Sequence, residues 1–203
     1  MPEAAEILDQ LQTAADQGWP LAVAWHAVML AAVVALVVGW RPDRRLAGAL
    51  LAAPSASVSA VAWLIGNPFN GAVFAVLSAA LVILALRLAP RPVSSGAMWA
   101  TAAGAVMIGF GWVYPHFVSV ESTLALLFRS PFGLIPCPTL SVVIGFALLA
   151  DGLGSRAWSL LLAGTGLLYA LIGTLRLGVQ IDLFLLAGAV ALIGVAVTRR
   201  SAQ

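Results

Sequence analysis

Seven apolar stretches, separated by short polar loops, make up most of this chain. They run from Pro20 to Trp40, Leu46 to Gly66, Gly71 to Leu88, Gly96 to Tyr114, Thr139 to Leu153, Ala157 to Leu175 and Ile181 to Thr198. At about 1.5 Å per residue, most of them can cross the roughly 30 Å of hydrocarbon in a bilayer. The pattern therefore predicts an all-α, polytopic membrane bundle of about seven transmembrane helices.

Arginines mark alternate loops of the predicted bundle. Those at or after the ends of the first, third, fifth and seventh stretches are Arg41, Arg44, Arg45, Arg87, Arg91, Arg156, Arg199 and Arg200. Only Arg129 and Arg176 fall on the other side. Because positively charged loops remain in the cytoplasm, the pattern predicts an N-terminus outside and a C-terminus inside.

Residues 1–18 carry four acidic and no basic side chains, a composition that does not fit a signal peptide. We therefore expect the first stretch to remain as a membrane span. Ile7, Leu8 and Leu11 recur at roughly helical spacing, which predicts a short amphipathic leader helix on the outer surface. Residues 19–203 then form a single transmembrane domain.

Composition supports a membrane protein and excludes several functions. A mean hydropathy of +1.04 and 9% charged residues leave too little polar surface for a water-soluble globule. The net charge of +2 comes from scattered arginines, so we expect the lipid bilayer and no nucleic acid as a partner. The sequence contains no lysine, which excludes a Schiff-base pigment.

Between the fourth and fifth stretches, residues 116–139 read HFVSVESTLALLFRSPFGLIPCPT. Pro131, Pro136 and Pro138 lack a backbone N–H and prevent one continuous helix. A fifth helix that starts near Thr139 is only about 20 Å long, shorter than the hydrocarbon is thick. Irregular backbone at membrane depth must be buried by protein or line a watery cavity, so we expect a broken or re-entrant segment before the fifth helix.

Cys137 is the only cysteine, so the chain forms no internal disulfide. At the start of the short helix, unpaired N–H groups and the positive end of the helix dipole would favour a thiolate. Cys137 is therefore a candidate reactive thiol or soft-metal ligand. The alternative is an inert, buried cysteine in a proline-rich turn.

The predicted orientation brings most other ionisable and amide side chains of interest into the outer half. We expect an outward-facing pocket for a small solute or metal ion, because ionisable groups at membrane depth usually mark binding or transport sites. Its candidate lining residues are His26, Asn67, Asn70, His116, Glu121 and Cys137. The candidate metal ligands among them are His26, His116 and Cys137, although no close spacing such as C-x-x-C supports a metal site.

Each histidine also has a structural interpretation: a hydrogen bond to a neighbouring helix for His26 and a solvated interfacial ring for His116. His26 should lie roughly 10 Å deeper than His116, which does not suit the two axial ligands of one haem. The chain contains no hydrolase or kinase motif. The sequence thus requires no cofactor, leaves a soft metal ion as a candidate and indicates no enzyme class.

The second functional interpretation is a non-catalytic membrane subunit or scaffold. Small residues four apart, such as Ala100 and Gly104, permit close packing with a second copy or with a partner membrane protein. A redox or thiol-dependent enzyme is a third interpretation.

The most specific motif is Phe-Gly-x-x-Pro-Cys-Pro-Thr. It occupies residues 132–139, and the shorter segments that accompany it are 17–20, 67–68, 114–115 and 170–173. In these residues the chain resembles an uncharacterised bacterial family of multi-span inner-membrane proteins, a domain of unknown function. The resemblance covers nearly the whole chain and implies a multi-pass protein of the bacterial inner membrane, without implying an activity.

Overall fold

The computed structural model describes residues 4–118 and 122–198, and over these residues the chain forms helices and no β-strand. The α-helices are α1 (Ala4–Gln17), α2 (Trp19–Val37), α3 (Arg44–Leu64), α4 (Pro68–Leu86), α5 (Met98–Trp112), α6 (Leu126–Arg129), α7 (Pro136–Leu149), α8 (Arg156–Leu171) and α9 (Leu183–Thr198). Short 3-10 turns cover Thr123–Ala125, Asp151–Gly154 and Gln180–Asp182, and a π-helical turn covers Ile172–Arg176. The all-α class predicted from the sequence is confirmed.

Five helical segments of the described chain are long and apolar enough to cross a membrane. They are α2, α3, α4, α8 with its π-helical extension, and α9 with the turn before it. Helices of this length and composition indicate a multi-pass membrane protein in contact with lipid. The other two predicted spans correspond to α5 and α7, which have 15 and 14 residues.

Contacts between loops show which helix ends lie together. The Arg44 N–H donates to the Arg91 carbonyl at 2.9 Å, and the Gly96 N–H donates to the Leu149 carbonyl at 2.9 Å. We call the end of the bundle formed by residues 38–43, 87–97 and 150–155 the arginine end. The opposite end, where α1 lies, is the leader end.

Helix α7 occupies the centre of the bundle and packs against α3, α5, α8 and α9. Twelve of its 14 residues are buried. A Cβ on Gly104 of α5 would lie 2.6 Å from the Gly145 carbonyl oxygen of α7, so these two glycines let the helices touch. Because protein rather than lipid surrounds α7, its length need not match the bilayer.

Helix α7 begins at Pro136, two or three residues before the expected start at Pro138 or Thr139. The expectation was wrong because prolines at the first helical positions break no helical hydrogen bond, and their fixed φ suits the first turn.

Helix α2 is buried over only part of its length. Its buried residues are Ala22, His26 and Met29, and none of them lies in the last two turns of the helix. Val37 and Val38, at the arginine end, are 80% and 75% exposed. The second half of α2 is therefore less buried, and contacts its neighbours through the partly buried Ala32, Val33 and Leu36.

Candidate functional site

The segment between α6 and α7 enters the bundle from the leader end. Residues 130–136 are all buried. The Gly133 carbonyl accepts a 2.7 Å hydrogen bond from the Ser57 hydroxyl, which itself accepts one of 2.9 Å from Trp25 Nε1. Ser57 lies seven residues, or about 10 Å, from the end of α3 at Leu64. The non-helical backbone at Gly133 thus lies about two turns of α3 inside the bundle, measured from the end of that helix.

Gly133 allows this entry. Its φ of +78° lies in the left-handed region, where a Cβ is strained. A Cβ there would also lie 2.6 Å from Trp25 Cγ, with two further ring atoms closer still. Phe132 packs edge-on against Trp25 with ring centroids 5.8 Å apart. The Phe-Gly pair of the motif therefore fits the loop against α2.

The prolines of the motif solve a hydrogen-bonding problem at the buried start of α7. The first N–H groups of a helix have no partner within it. Pro136 and Pro138 take the first and third helical positions and carry no N–H, while the Ile135 N–H donates to the Pro131 carbonyl at 3.2 Å. Among the first three residues of α7, only Cys137 therefore carries a backbone N–H that needs a partner.

Thr139 links this first turn to the loop before it. Its hydroxyl donates to the Ile135 carbonyl at 2.7 Å and accepts the Gly133 N–H at 2.9 Å. Thr139 is fully buried, so both bonds are shielded from water. The polar groups of the motif thus satisfy one another inside an apolar environment.

A buried carboxylate lies beside Cys137. Asp182, in the turn before α9, is 1% exposed. Its Oδ1 accepts a 2.8 Å hydrogen bond from the Tyr114 hydroxyl, and its Oδ2 accepts a 3.0 Å bond from the Cys137 thiol. We call Tyr114, Cys137 and Asp182 the Asp182 cluster.

The residues of the cluster differ in burial. Tyr114 is fully buried, whereas Cys137 is the only partly exposed residue within 131–140. The Cys137 thiol donates a hydrogen bond to the Asp182 carboxylate. This geometry favours the protonated thiol and not the thiolate expected at the helix start.

Gly173 provides the space that Asp182 occupies. It lies in the π-helical turn that follows α8, where the Leu177 N–H donates to the Ile172 carbonyl at 3.1 Å. A Cβ on Gly173 would be 2.9 Å from Asp182 Cγ and still closer to its Oδ2. π-helical turns are frequent at functional sites, and this one lies directly against the buried acid.

We expect Gly173→Ala to displace the Asp182 carboxylate and break its bond to Cys137. The infrared S–H stretching band should shift toward that of a free thiol, and the assignment is unambiguous because the chain has one cysteine. Gly164→Ala is the matched control, since a Cβ on Gly164 meets no atom within 4 Å. An unchanged S–H band in Gly173→Ala would contradict the assigned contact.

A second polar group extends from α4 to α8. Asn67 caps α4 by accepting the Asn70 N–H at 3.0 Å, and the Asn70 side-chain oxygen accepts the Tyr169 hydroxyl at 2.8 Å. Tyr169 belongs to the central apolar core, against which Cys137 also packs. The structure thus brings Asn70 toward the Asp182 cluster through Tyr169.

The two histidines have different surroundings. His26 Nδ1 is 2.8 Å from the Ala22 carbonyl oxygen and Nε2 is 3.2 Å from that of Trp112, so the ring bridges α2 and α5. His116 is exposed and packs against Phe117 with ring centroids 4.2 Å apart. Glu121 lies outside the described residues. Within the described chain, no three His, Cys, Asp or Glu side chains come together as a metal site.

The predicted pocket residues are therefore divided. Cys137 joins Asp182, and Asn67 and Asn70 form the neighbouring polar group. A cavity of about 550 Å³ between α2, α3, α5 and α7 has none of the predicted residues in its lining. Sequence reasoning missed the importance of Tyr114, Tyr169 and Asp182. Of these three residues, only Asp182 could have been recognised from the sequence, because an acidic residue at the edge of an apolar stretch often belongs to a functional site.

No family model, curated protein or solved structure matches the chain. The site is therefore interpreted from its own geometry.

Proposed function

We propose that this chain is a seven-span membrane protein, with its N-terminus outside, that binds and moves a small solute or metal ion at the Asp182 cluster. The observation that carries the proposal is the 1% exposed carboxylate of Asp182, whose two oxygens are bonded to the uncharged donors Tyr114 and Cys137.

A carboxylate in a membrane helix is costly because hydrocarbon cannot solvate it. Two neutral hydrogen bonds solvate the charge in part but do not balance it. A bound cation balances it, and the thiol of Cys137 adds a soft ligand beside the hard carboxylate oxygen of Asp182. A positively charged solute or a soft metal ion therefore matches the chemistry of the cluster.

Access to the cluster is proposed from the leader end. Cys137 is partly exposed there, whereas Leu134 and Ile135 are covered by Leu11 and Ala14 of α1 in one apolar cluster. The arginine-bearing loops lie at the opposite end, which the positive-inside rule assigns to the cytoplasm. The solute then enters from the outside, past the leader helix.

Seven crossings are supported by the close packing of the two shorter helices. α5 and α7 touch through Gly104 and Gly145, and α7 is enclosed by other helices. α7, about 21 Å long, can cross inside the bundle because the helices around it contact the lipid. α5 packs along α7 with one face and leaves Met98, Trp99 and Val106 exposed on the other.

The proposal is tested by labelling the single cysteine. A membrane-impermeant maleimide added from the outside should label Cys137, and Cd²⁺ should slow the labelling by about tenfold or more if it binds the thiol and the carboxylate together. Cys137→Ser sets the background. Labelling only from the cytoplasmic side, or at a rate that Cd²⁺ leaves unchanged, would contradict the proposed site; metal analysis and ligand mass spectrometry of purified protein identify any resident solute.

A further inference from the structure

An apolar groove lies beside the less buried second half of α2. It has a volume of about 550 Å³ and lies between α2, α3, α5 and α7, near the arginine end. Its walls are aliphatic and aromatic side chains, among them Val33, Leu36, Leu51, Ile108 and Phe146. This volume falls within the roughly 300–1,000 Å³ typical of ligand sites.

One end of the groove is polar and positively charged. Arg41, Ser94 and Ser95 line it there. Arg41 Nη1 donates to the Leu36 and Trp40 carbonyls at 2.9 and 3.0 Å, and its Nε and Nη2 make no hydrogen bond within the described residues. The guanidinium therefore keeps donors for a ligand.

The loops around this mouth carry a net positive charge. Four further arginines belong to them, at positions 44, 45, 87 and 91. Two acids lie at this end, Asp43 and Asp151, so the arginines outnumber them. Asp43 accepts the Arg45 and Leu46 backbone N–H groups and caps α3. The mouth of the groove thus complements an anion.

We propose that one anionic phospholipid occupies this groove, with an acyl chain along the apolar walls and its phosphate at Arg41. The groove runs along the last turns of α2 from Ala32 and continues past the end of the helix to Arg41, so its apolar walls lead directly to the guanidinium. Basic pockets between membrane helices bind lipid headgroups of this charge. The inference is independent of the Asp182 cluster and requires only that the bundle resides in a membrane.

The proposal is tested by substituting two glycines, each of which has open space where a side chain would extend. A Cβ on Gly109, which lines the groove, meets no atom within 4 Å, and neither does one on Gly164, which is exposed on α8. Gly109→Leu should fill the groove without disturbing the fold, and Gly164→Leu is its matched control. Arg41→Gln removes the charge, with Arg156→Gln, an exposed arginine at the same end, as its control.

Native mass spectrometry of the full chain in mixed micelles measures bound dioleoylphosphatidylglycerol against dioleoylphosphatidylcholine. We expect one tightly bound phosphatidylglycerol, about fivefold weaker binding in Arg41→Gln and a loss of about tenfold or more in Gly109→Leu. Both controls should stay within about twofold of the parent protein.

Three results would overturn the proposal. The first is a parent protein that retains no phospholipid, and the second is equal retention by Gly109→Leu and Gly164→Leu. The third is a dimer that Gly109→Leu abolishes and Gly164→Leu does not, because the groove would then bind a second copy. Thermal melting of each variant verifies that it is folded.

Discussion

Replacing Gly133 by alanine is expected to lower the free energy of unfolding by about 3 kcal/mol or more. A left-handed conformation with a Cβ costs roughly 1–2 kcal/mol, and overpacking costs roughly 1–3 kcal/mol more. Both apply here, since φ is +78° and the new methyl group would overlap the Trp25 ring. Denaturation of the detergent-solubilised protein, followed by circular dichroism, measures the loss.

The control for Gly133→Ala is Gly164→Ala, where the new methyl group meets open space and the helix gains propensity. This variant should be as stable as the parent protein or slightly more so. Trp25→Leu should relieve part of the overlap, so Gly133→Ala and Trp25→Leu should be non-additive in the double variant. A Gly133→Ala protein of parental stability would show that the loop does not press against α2 as described.

Asp182→Asn is expected to weaken Cd²⁺ binding by between about tenfold and a hundredfold. The substitution keeps the shape of the side chain and an oxygen for the Tyr114 hydroxyl, but it removes the charge that would balance the cation. Folding should persist, because neutralising a buried acid removes a desolvation cost while at most one hydrogen bond, worth about 1 kcal/mol, is lost. Isothermal titration calorimetry in detergent measures the affinity.

Asp9→Asn is the matched control, since Asp9 is an exposed acid on α1 and the substitution is chemically identical. It should bind Cd²⁺ as the parent protein does. Cys137→Ser should lose affinity together with Asp182→Asn, because both remove a ligand of the same site. If Asp182→Asn and Asp9→Asn bind Cd²⁺ equally, the carboxylate is not part of a cation site.

Hydropathy located the helices well and their ends less well. The first predicted span, Pro20 to Trp40, corresponds to α2 at Trp19–Val37. The fifth, Thr139 to Leu153, corresponds to α7 at Pro136–Leu149, shifted because the prolines belong to its first turn and the chain turns sharply after it. Helix ends depend on local hydrogen bonding, which average hydrophobicity does not describe.

The candidate site was predictable only in part. The motif around Cys137 stood out because prolines and a glycine interrupt an apolar region. The partners of Cys137 did not, since Asp182 lies 45 residues later in the chain and Tyr114 lies 68 residues before Asp182. His26, which the sequence grouped with Cys137, instead bridges two helices through backbone carbonyls.

The sequence by itself determined which segments leave water, because the transfer free energy of a helix into lipid is roughly a sum over its own residues. It also determined that no continuous helix passes through residues 131–138, since proline acts on its own backbone. Only the tertiary structure decided that a carboxylate, a phenol and a thiol meet, and that α2 leaves a groove. Those arrangements depend on how helices distant in sequence pack side by side, and small residues such as Gly104, Gly145 and Gly173 set that packing through contacts that no single segment contains.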